Sequence, residues 1–473
     1  MYLTRTRRFA AYAALILGAT LVAPTVAAAD PSTGYAVSAV PDRIVLTPTA
    51  NPQTSQAVSW RVSTDTTDGV LQVEVPGSGT VDFAADRSND VQLAGWPVGA
   101  RHFSAVAEGL APGTDYRYRV GSDAHWSDWA TFTTASADEA LTFLYFGDAQ
   151  NDVAATFTPV VDAAFAATPG AKLHLHAGDL INTSSTDSEW GEWFDALGEH
   201  GREVNVFATP GNHEYVGDAR IEQFRSHFRF PDNGPQPVDD TERLLSEYLG
   251  GGTYYTDYQG VRFISMNANT PGQLLSYLPT GSSASGFLTV WEDLQARWLD
   301  AVLAENPNRW SVVTFHQPVF SATSGRDNTT LREAWVPVLE RHDVDLVLMG
   351  HDHAYTRGHL FANDGATPSE STGPVYAVTV AGPKYYDVDS DENSNWLNNG
   401  ARRVVTANET STFQQITVDG STLSYRSVIA AVGDDAHIGD RPIGAGDVGS
   451  VLDEFTIEKT AAGKRVVDGP AAR

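Results

Sequence analysis

The sequence predicts a mixed fold: an all-β sandwich over residues 36–135, followed by a layered α/β domain over 138–430. Three observations predict it. Between 36 and 135, short runs rich in Val, Thr and aromatics are separated by Gly, Pro, Asp and Ser, which is sandwich spacing. From residue 141, strand-like runs alternate with longer helical ones, the pattern of helices layered on a sheet. The length of 473 residues allows two or three domains, and 42% hydrophobic residues suffice for a large core.

Taken in order, the chain opens with Arg5, Arg7 and Arg8, an apolar stretch, and Ala27-Ala28-Ala29 before Asp30. This is the pattern of a cleaved secretory signal over 1–29, so a secreted, extracellular protein is expected. Arg7-Arg8 raises twin-arginine export, although the residues after it fit that signal poorly. Cleavage removes three arginines and no acids, taking the formal charge from −28 to −31. No later segment holds eighteen unbroken apolar residues, so no membrane partner is expected after cleavage.

The sandwich strands are PDRIVLTPT, AVSWRVST, GVLQVEV, RHFSAVAEG, TDYRYRVG and DWATFTT, with Trp60 as a core anchor. Trp126 and Trp129 are expected in the sandwich core or at a domain interface. The stretch from Leu110 to Tyr118 resembles the turn and tyrosine corner of fibronectin type III domains. Residues 134–140 read as a linker. The second domain has strands LTFLYFGD, KLHLHAGD, EVNVFATPGNHE, VRFISMN, WSVVTFHQP, DLVLMGHDH and VYAVTVAG, with helices expected over 156–167, 189–199, 288–304 and 329–342. A hairpin around Asp419-Gly420 closes it, and 431–473 is a C-terminal extension with one strand-like run, Val451–Glu458.

Composition excludes several functions. Asp+Glu number 59 against 31 Lys+Arg, so no nucleic-acid scaffold is expected as a partner. The absence of cysteine removes disulfides, thiolate metal sites and cysteine nucleophiles together. An anionic substrate needs another source of attraction, and a bound metal would supply it.

Candidate ligands stand at the ends of the buried runs: Asp148, Asp179, Asn212, His316, His351 and His353. Polar residues just past strand carboxyl ends project into the crevice where α/β sheets bind ligands. Any one such residue reads as a turn or cap, but the ordered set is hard to obtain from packing alone. Carboxylate, carboxamide and imidazole donors suit Mn²⁺, Fe²⁺/³⁺ and Zn²⁺. Six donors are too many for one catalytic ion and fit two ions about 3.5–4 Å apart.

Gly147-Asp148, Gly178-Asp179, Gly211-Asn212-His213-Glu214, Val313-x-x-His316 and Gly350-His351-Asp352-His353 resemble the five ordered motifs of the calcineurin-like metallophosphoesterases. With the sandwich in front, the chain is similar to a purple acid phosphatase, and the resemblance spans nearly the whole mature chain. It implies a four-layer domain with two central mixed sheets flanked by helices. It implies that Asp179 bridges two ions, that Asp148 and His353 bind the first, and that Asn212, His316 and His351 bind the second. It places His213 beside the phosphate, as general acid or phosphate donor. Two positions depart from the purple pattern: Asn182 replaces the metal-binding tyrosine, and Gln150 stands two residues after Asp148. A divalent first ion and a colourless or weakly coloured protein are therefore expected, with Gln150, Asn182 or water filling the gap.

The implied activity is hydrolysis of small phosphomonoesters by hydroxide generated at the metals. A phosphodiesterase or nucleotidase on the same core is the alternative, with the 265–290 segment as a pocket loop. A non-catalytic extracellular binding protein is the second. His174 and His176 are expected to pack behind the site, and Glu214 and Asp352 to orient neighbours. Tyr355, Arg357, Lys384, Tyr385 and Tyr386 are expected at the mouth. His102, His125, His200, His227, His342, His359 and His437 read as surface or packing residues.

Overall fold

The computed structural model describes residues 35–92, 99–122, 125–136, 140–269 and 284–470, and the side chains of 284–288 are outside it. The expected signal, 1–29, and most of the expected pocket loop, 265–290, lie outside the described residues.

The first strands form two facing sheets. One orders β1 (Asp42–Thr47), β2 (Ser55–Ser63), β6 (Ala100–Glu108) and β5 (Arg87–Val91). The other orders β4 (Gly79–Ala84), β3 (Val70–Val75), β7 (Asp115–Ser122) and β8 (His125–Trp126), with β9 (Ala130–Thr133) also on β7. Trp60 is buried between them, its ring 5.7 Å from that of Phe103. Tyr116 Oη accepts from the Ala111 N–H at 2.8 Å, which is the corner expected from the sequence. Trp126 and Trp129 are half-buried instead, covered by the Arg119 and Arg117 guanidiniums. Cation–π stacking lets indole rings stay near water without an apolar partner.

In the second domain β10 (Leu141–Phe146), β11 (Leu173–His176) and β12 (Asn205–Ala208) run parallel. A second ladder places β13 (Tyr254–Tyr258) antiparallel to β14 (Val261–Ser265), then β15 (Trp310–Phe315), β16 (Leu346–Met349) and β19 (Val375–Val378) parallel, then β17 (Tyr355–Leu360) antiparallel. The two ladders meet on one 19-residue strand, β20 (Ala401–Asp419). Its first part pairs with β17 and its last part with β10, and register irregularities at 408–412 separate them. Bulges bend a strand, so the two expected sheets are halves of one hydrogen-bonded ladder.

The halves face each other across an apolar core. Phe143 of β10 meets Phe263 of β14 edge-on, centroids 5.0 Å apart. Helices cover the outer faces. On the first half lie α1 (Val153–Ala167), which buries Phe157, Val161, Ala164 and Phe165 at helical spacing, and α2 (Asp187–Leu197), which buries Trp190, Trp193, Phe194 and Leu197. On the second lie Ala284–Ala304 and Thr329–Arg341. All four expected helices are present with shifted ends. The Asp419-Gly420 hairpin is also present, but β21 (Thr422–Ile438) runs well past 428. Residues after 431 include β23 (Val451–Thr460) and β24 (Gly463–Asp468), which extend the same ladder. No described helix is long and apolar enough to cross a membrane.

Candidate metal centre

Parallel pairing within each half points β10, β11, β12, β15 and β16 so that their carboxyl ends open on one crevice, and the six candidate ligands follow those ends. The turns are tight for a steric reason. A Cβ on Gly211 would collide with the Asp179 carboxylate, and one on Gly350 with that of Asp148. Asp179 and His351 hold φ of 52° and 71°, left-handed values uncommon for residues with side chains. Glu214 holds one of these turns: its carboxylate accepts from the backbone N–H of Asp179, Leu180 and Gly211 at 2.9, 2.8 and 2.5 Å. Asp352 accepts from Ser321 Oγ, the Ala322 N–H and Arg326 Nε at 2.5–2.7 Å. Both orient neighbours, as expected from the sequence.

The donor atoms converge. His316 Nε2 is 3.1 Å from Asp179 Oδ2, 3.2 Å from Asn212 Oδ1 and 3.2 Å from His351 Nδ1. Asp148 Oδ2 is 3.3 Å from His353 Nε2 and accepts no hydrogen bond although buried. Gln150 joins the two groups, its Nε2 2.9 Å from His353 Nε2 and 3.3 Å from Asp179 Oδ2. Ligands held at about 2.0–2.2 Å from one ion lie roughly 3 Å or a little more apart, so these spacings fit shared cations. A buried carboxylate oxygen without a hydrogen-bond donor, as Asp148 Oδ2 is, suits a cation as its partner. Asp179 touches both groups, the placement a bridging ligand requires.

Backbone carbonyls set the imidazoles. The Nδ1–H of His316 faces the Ala177 carbonyl at 2.7 Å, and that of His353 the Lys384 carbonyl at 2.9 Å. Donating from Nδ1 leaves an Nε2 lone pair aimed at the crevice. Without a cation, burial alone would lower the His316 pKa, but Asp179 and Asp148 outweigh it and raise it to about 9. Burial, then Asp179, pushes Glu214 up to about 8.

His213 stands beside the donors. Its Nδ1 meets the Asn182 carbonyl at 2.6 Å, and its Nε2 is 3.9 Å from Asp179 Oδ2 and partly exposed. Asn182 faces away: its Oδ1 accepts from Asn151. Of the two departures, Gln150 therefore reaches the donor cluster. Its Oε1 is buried without a partner, and a half-turn of the amide presents that oxygen to the donors.

His174 and His176 lie behind the site, bonded to each other at 2.9 Å and packed on Phe165, Phe146 and Trp193. Of the expected mouth residues, Tyr386 packs on the His353 ring and Tyr385 bonds Ser411. Tyr355 and Arg357 do not reach the mouth. They share the face of β17 turned toward β23 and β24, where they bind Asp453, and Arg357 also Asp468. A strand presents residues two apart to one face, and that face carries buried acids.

Sequence reasoning missed a buried cluster between the domains. Arg43 and Arg61 of the sandwich bind Asp187 at 2.7 and 2.9 Å, and Arg61 also binds Asp42. Asp187 opens α2. Two residues on, Glu189 accepts from the N–H of Asn182 and Thr183 at 2.7 and 2.8 Å. The sandwich is thereby tied to the loop whose Asn182 carbonyl holds His213.

Residues 123–355 match the family model described as calcineurin-like phosphoesterase, and 41–134 that described as purple acid phosphatase, N-terminal domain. An uncharacterized protein of Mycobacterium tuberculosis is 28% identical over 356 residues, covering 69% of this chain and 63% of its own length. The chain thus spans somewhat under two thirds of that relative. Purple acid phosphatase 21 of Arabidopsis thaliana is 27% identical over 57% of this chain and 55% of its own. The solved purple acid phosphatase PPD1 from yellow lupin superposes with a TM-score of 0.64 at 15% identity, over 89% of this chain and 75% of its own. The chain therefore joins a purple acid phosphatase N-terminal domain to a calcineurin-like phosphoesterase domain.

Proposed function

We propose that the protein is an exported, metal-dependent phosphatase that hydrolyses phosphomonoesters at a centre of two metal ions. The convergence of Asp148, Asp179, Asn212, His316, His351 and His353 at one crevice carries this reading. Asp179 is assigned as the bridge, with Asp148, His353 and Gln150 on one side and Asn212, His316 and His351 on the other. These residues would hold cations of the Mn, Fe or Zn class, which would supply neutralisation of the ester's charge and a lowered pKa for water. The chain's residues do the rest. The carbonyl-anchored imidazoles hold their lone pairs toward the crevice. His213, fixed through Nδ1, presents Nε2 to the leaving oxygen and gives it a proton. The basic start and Ala27–Ala29 support export.

The test is hydrolysis of an aryl phosphate by the purified mature protein loaded in turn with Mn, Zn or Fe. Turnover that is lost in Asp179→Asn and His316→Ala is expected. No hydrolysis of a mono- or diester under any loading would sink the reading. With Asn182 in place of a tyrosine ligand, the loaded protein is expected to lack a strong visible charge-transfer band, read by absorption spectroscopy.

A further inference from the structure

Lysine is scarce on this chain, and one of the four stands with an arginine beside the residues of the candidate metal centre. Of four lysines, Lys459 and Lys464 are paired with Asp345 and Asp343. Lys384 has no carboxylate partner among the described residues. Its Nζ stands 5.3 Å from the Tyr386 ring centre, and Arg326 Cζ stands 5.0 Å from the same ring. Tyr386 packs 4.7 Å from the His353 ring. Arg326 donates through Nη2 to the His351 carbonyl at 3.0 Å and through Nε to Asp352 at 2.7 Å, while its Nη1 makes no hydrogen bond among the described residues. Backbone bonds lock the segment in place: His353 Nδ1 to the Lys384 carbonyl, and the Tyr386 N–H to the His353 carbonyl, both at 2.9 Å.

Packing alone does not explain Lys384. It is half-buried on a chain of net charge −28, with acid in excess, yet it neutralises none. Arg326 keeps one donor edge free although Asp352 is beside it. A lysine acts as a point charge for phosphate, and an arginine adds directed donors. Both are anchored to the strand end that carries His351 and His353, and both cations stand within 5.3 Å of the Tyr386 ring that packs on His353.

We propose that Lys384 and Arg326 form, around Tyr386, a rim that holds a second phosphate of the substrate. The favoured substrate is then a phosphoester bearing a second phosphate group. This rests on the phosphatase reading above and adds the substrate class.

The test compares fructose 1,6-bisphosphate with fructose 6-phosphate on the metal-loaded full chain. The expected kcat/KM ratio is about tenfold in favour of the bisphosphate, from one added charge pair near the surface, and it shrinks at high salt. Lys384→Met is expected to bring the ratio toward one, and Lys384→Arg to keep it. Equal kcat/KM on the two esters, or an unchanged ratio in Lys384→Met, overturns the proposal. If the protein hydrolyses neither, the phosphatase reading fails separately and thermal shift decides on the rim. A larger midpoint rise with the bisphosphate, lost in Lys384→Met, supports the rim, and equal rises overturn it.

Discussion

At the scale of single residues, the proposed function assigns metal holding and proton transfer to different side chains. Asp179 contacts both donor groups, so it is the side chain whose loss should disturb both ions. In Asp179→Asn, metal per chain is expected to fall from two toward one or none by elemental analysis, with activity down about 10²-fold or more. The His213 imidazole stands 3.9 Å from Asp179 Oδ2, and the one close contact of this residue with the donors is its backbone N–H, which donates to Asp179 Oδ1 at 2.8 Å and survives truncation of the side chain. His213→Ala should therefore keep its metal while kcat drops about 10²–10⁴-fold. The drop should be larger for an alkyl phosphate, whose leaving oxygen needs the proton more. An equal drop on aryl and alkyl esters counts against proton donation. The donors were legible in the sequence because each lies within a few residues of a buried strand end. Arg326 was not legible: its partners, His351 and Asp352, are about 25 residues away and no local pattern announces them.

Elements hold these residues through contacts between distant segments. The N-terminus of α2 takes two arginines from the sandwich on one carboxylate, and all three side chains are nearly fully buried. Breaking a buried ion pair by removing one partner costs about 3–5 kcal/mol, because a desolvated charge is left behind. Arg61→Met is thus expected to lower the urea midpoint clearly. It should also loosen the Asn182–Glu189 loop, seen as faster amide exchange at Asn182 and Thr183. A midpoint equal to the parent protein's would show that the cluster does not hold the domains together. The helices were legible from their apolar spacing. The length of β20 and β21 was not, because a strand that bends between two ladders has no single alternation to read.

For the whole molecule, acid is the expected weakness. His102, His174, His176 and His227 are buried, and burial holds each well below the ordinary histidine pKa, His174 near 3. Unfolded, they titrate near 6.5. Below that pH the unfolded chain takes up more protons than the folded one. Stability is therefore full above about pH 6.5 and declines as pH falls, with a limiting slope of about 1.4 kcal/mol per unit for each histidine. Thermal midpoints between pH 7.5 and 5 check this, and a flat profile would refute it.

The sequence by itself determined the order of the domains, the strand-and-helix alternation and which polar residues stand at the strand ends as candidate donors, since turn chemistry and hydrophobic runs are local properties of the chain. Only the tertiary structure decided that those candidate donors share one crevice, that Gln150 and not Asn182 reaches it, that Arg357 turns inward to Asp453 and that Lys384 has the Tyr386 ring and no carboxylate as its partner among the described residues. Those outcomes depend on which segments pair across the ladders, and charge and space are settled between residues far apart in the chain.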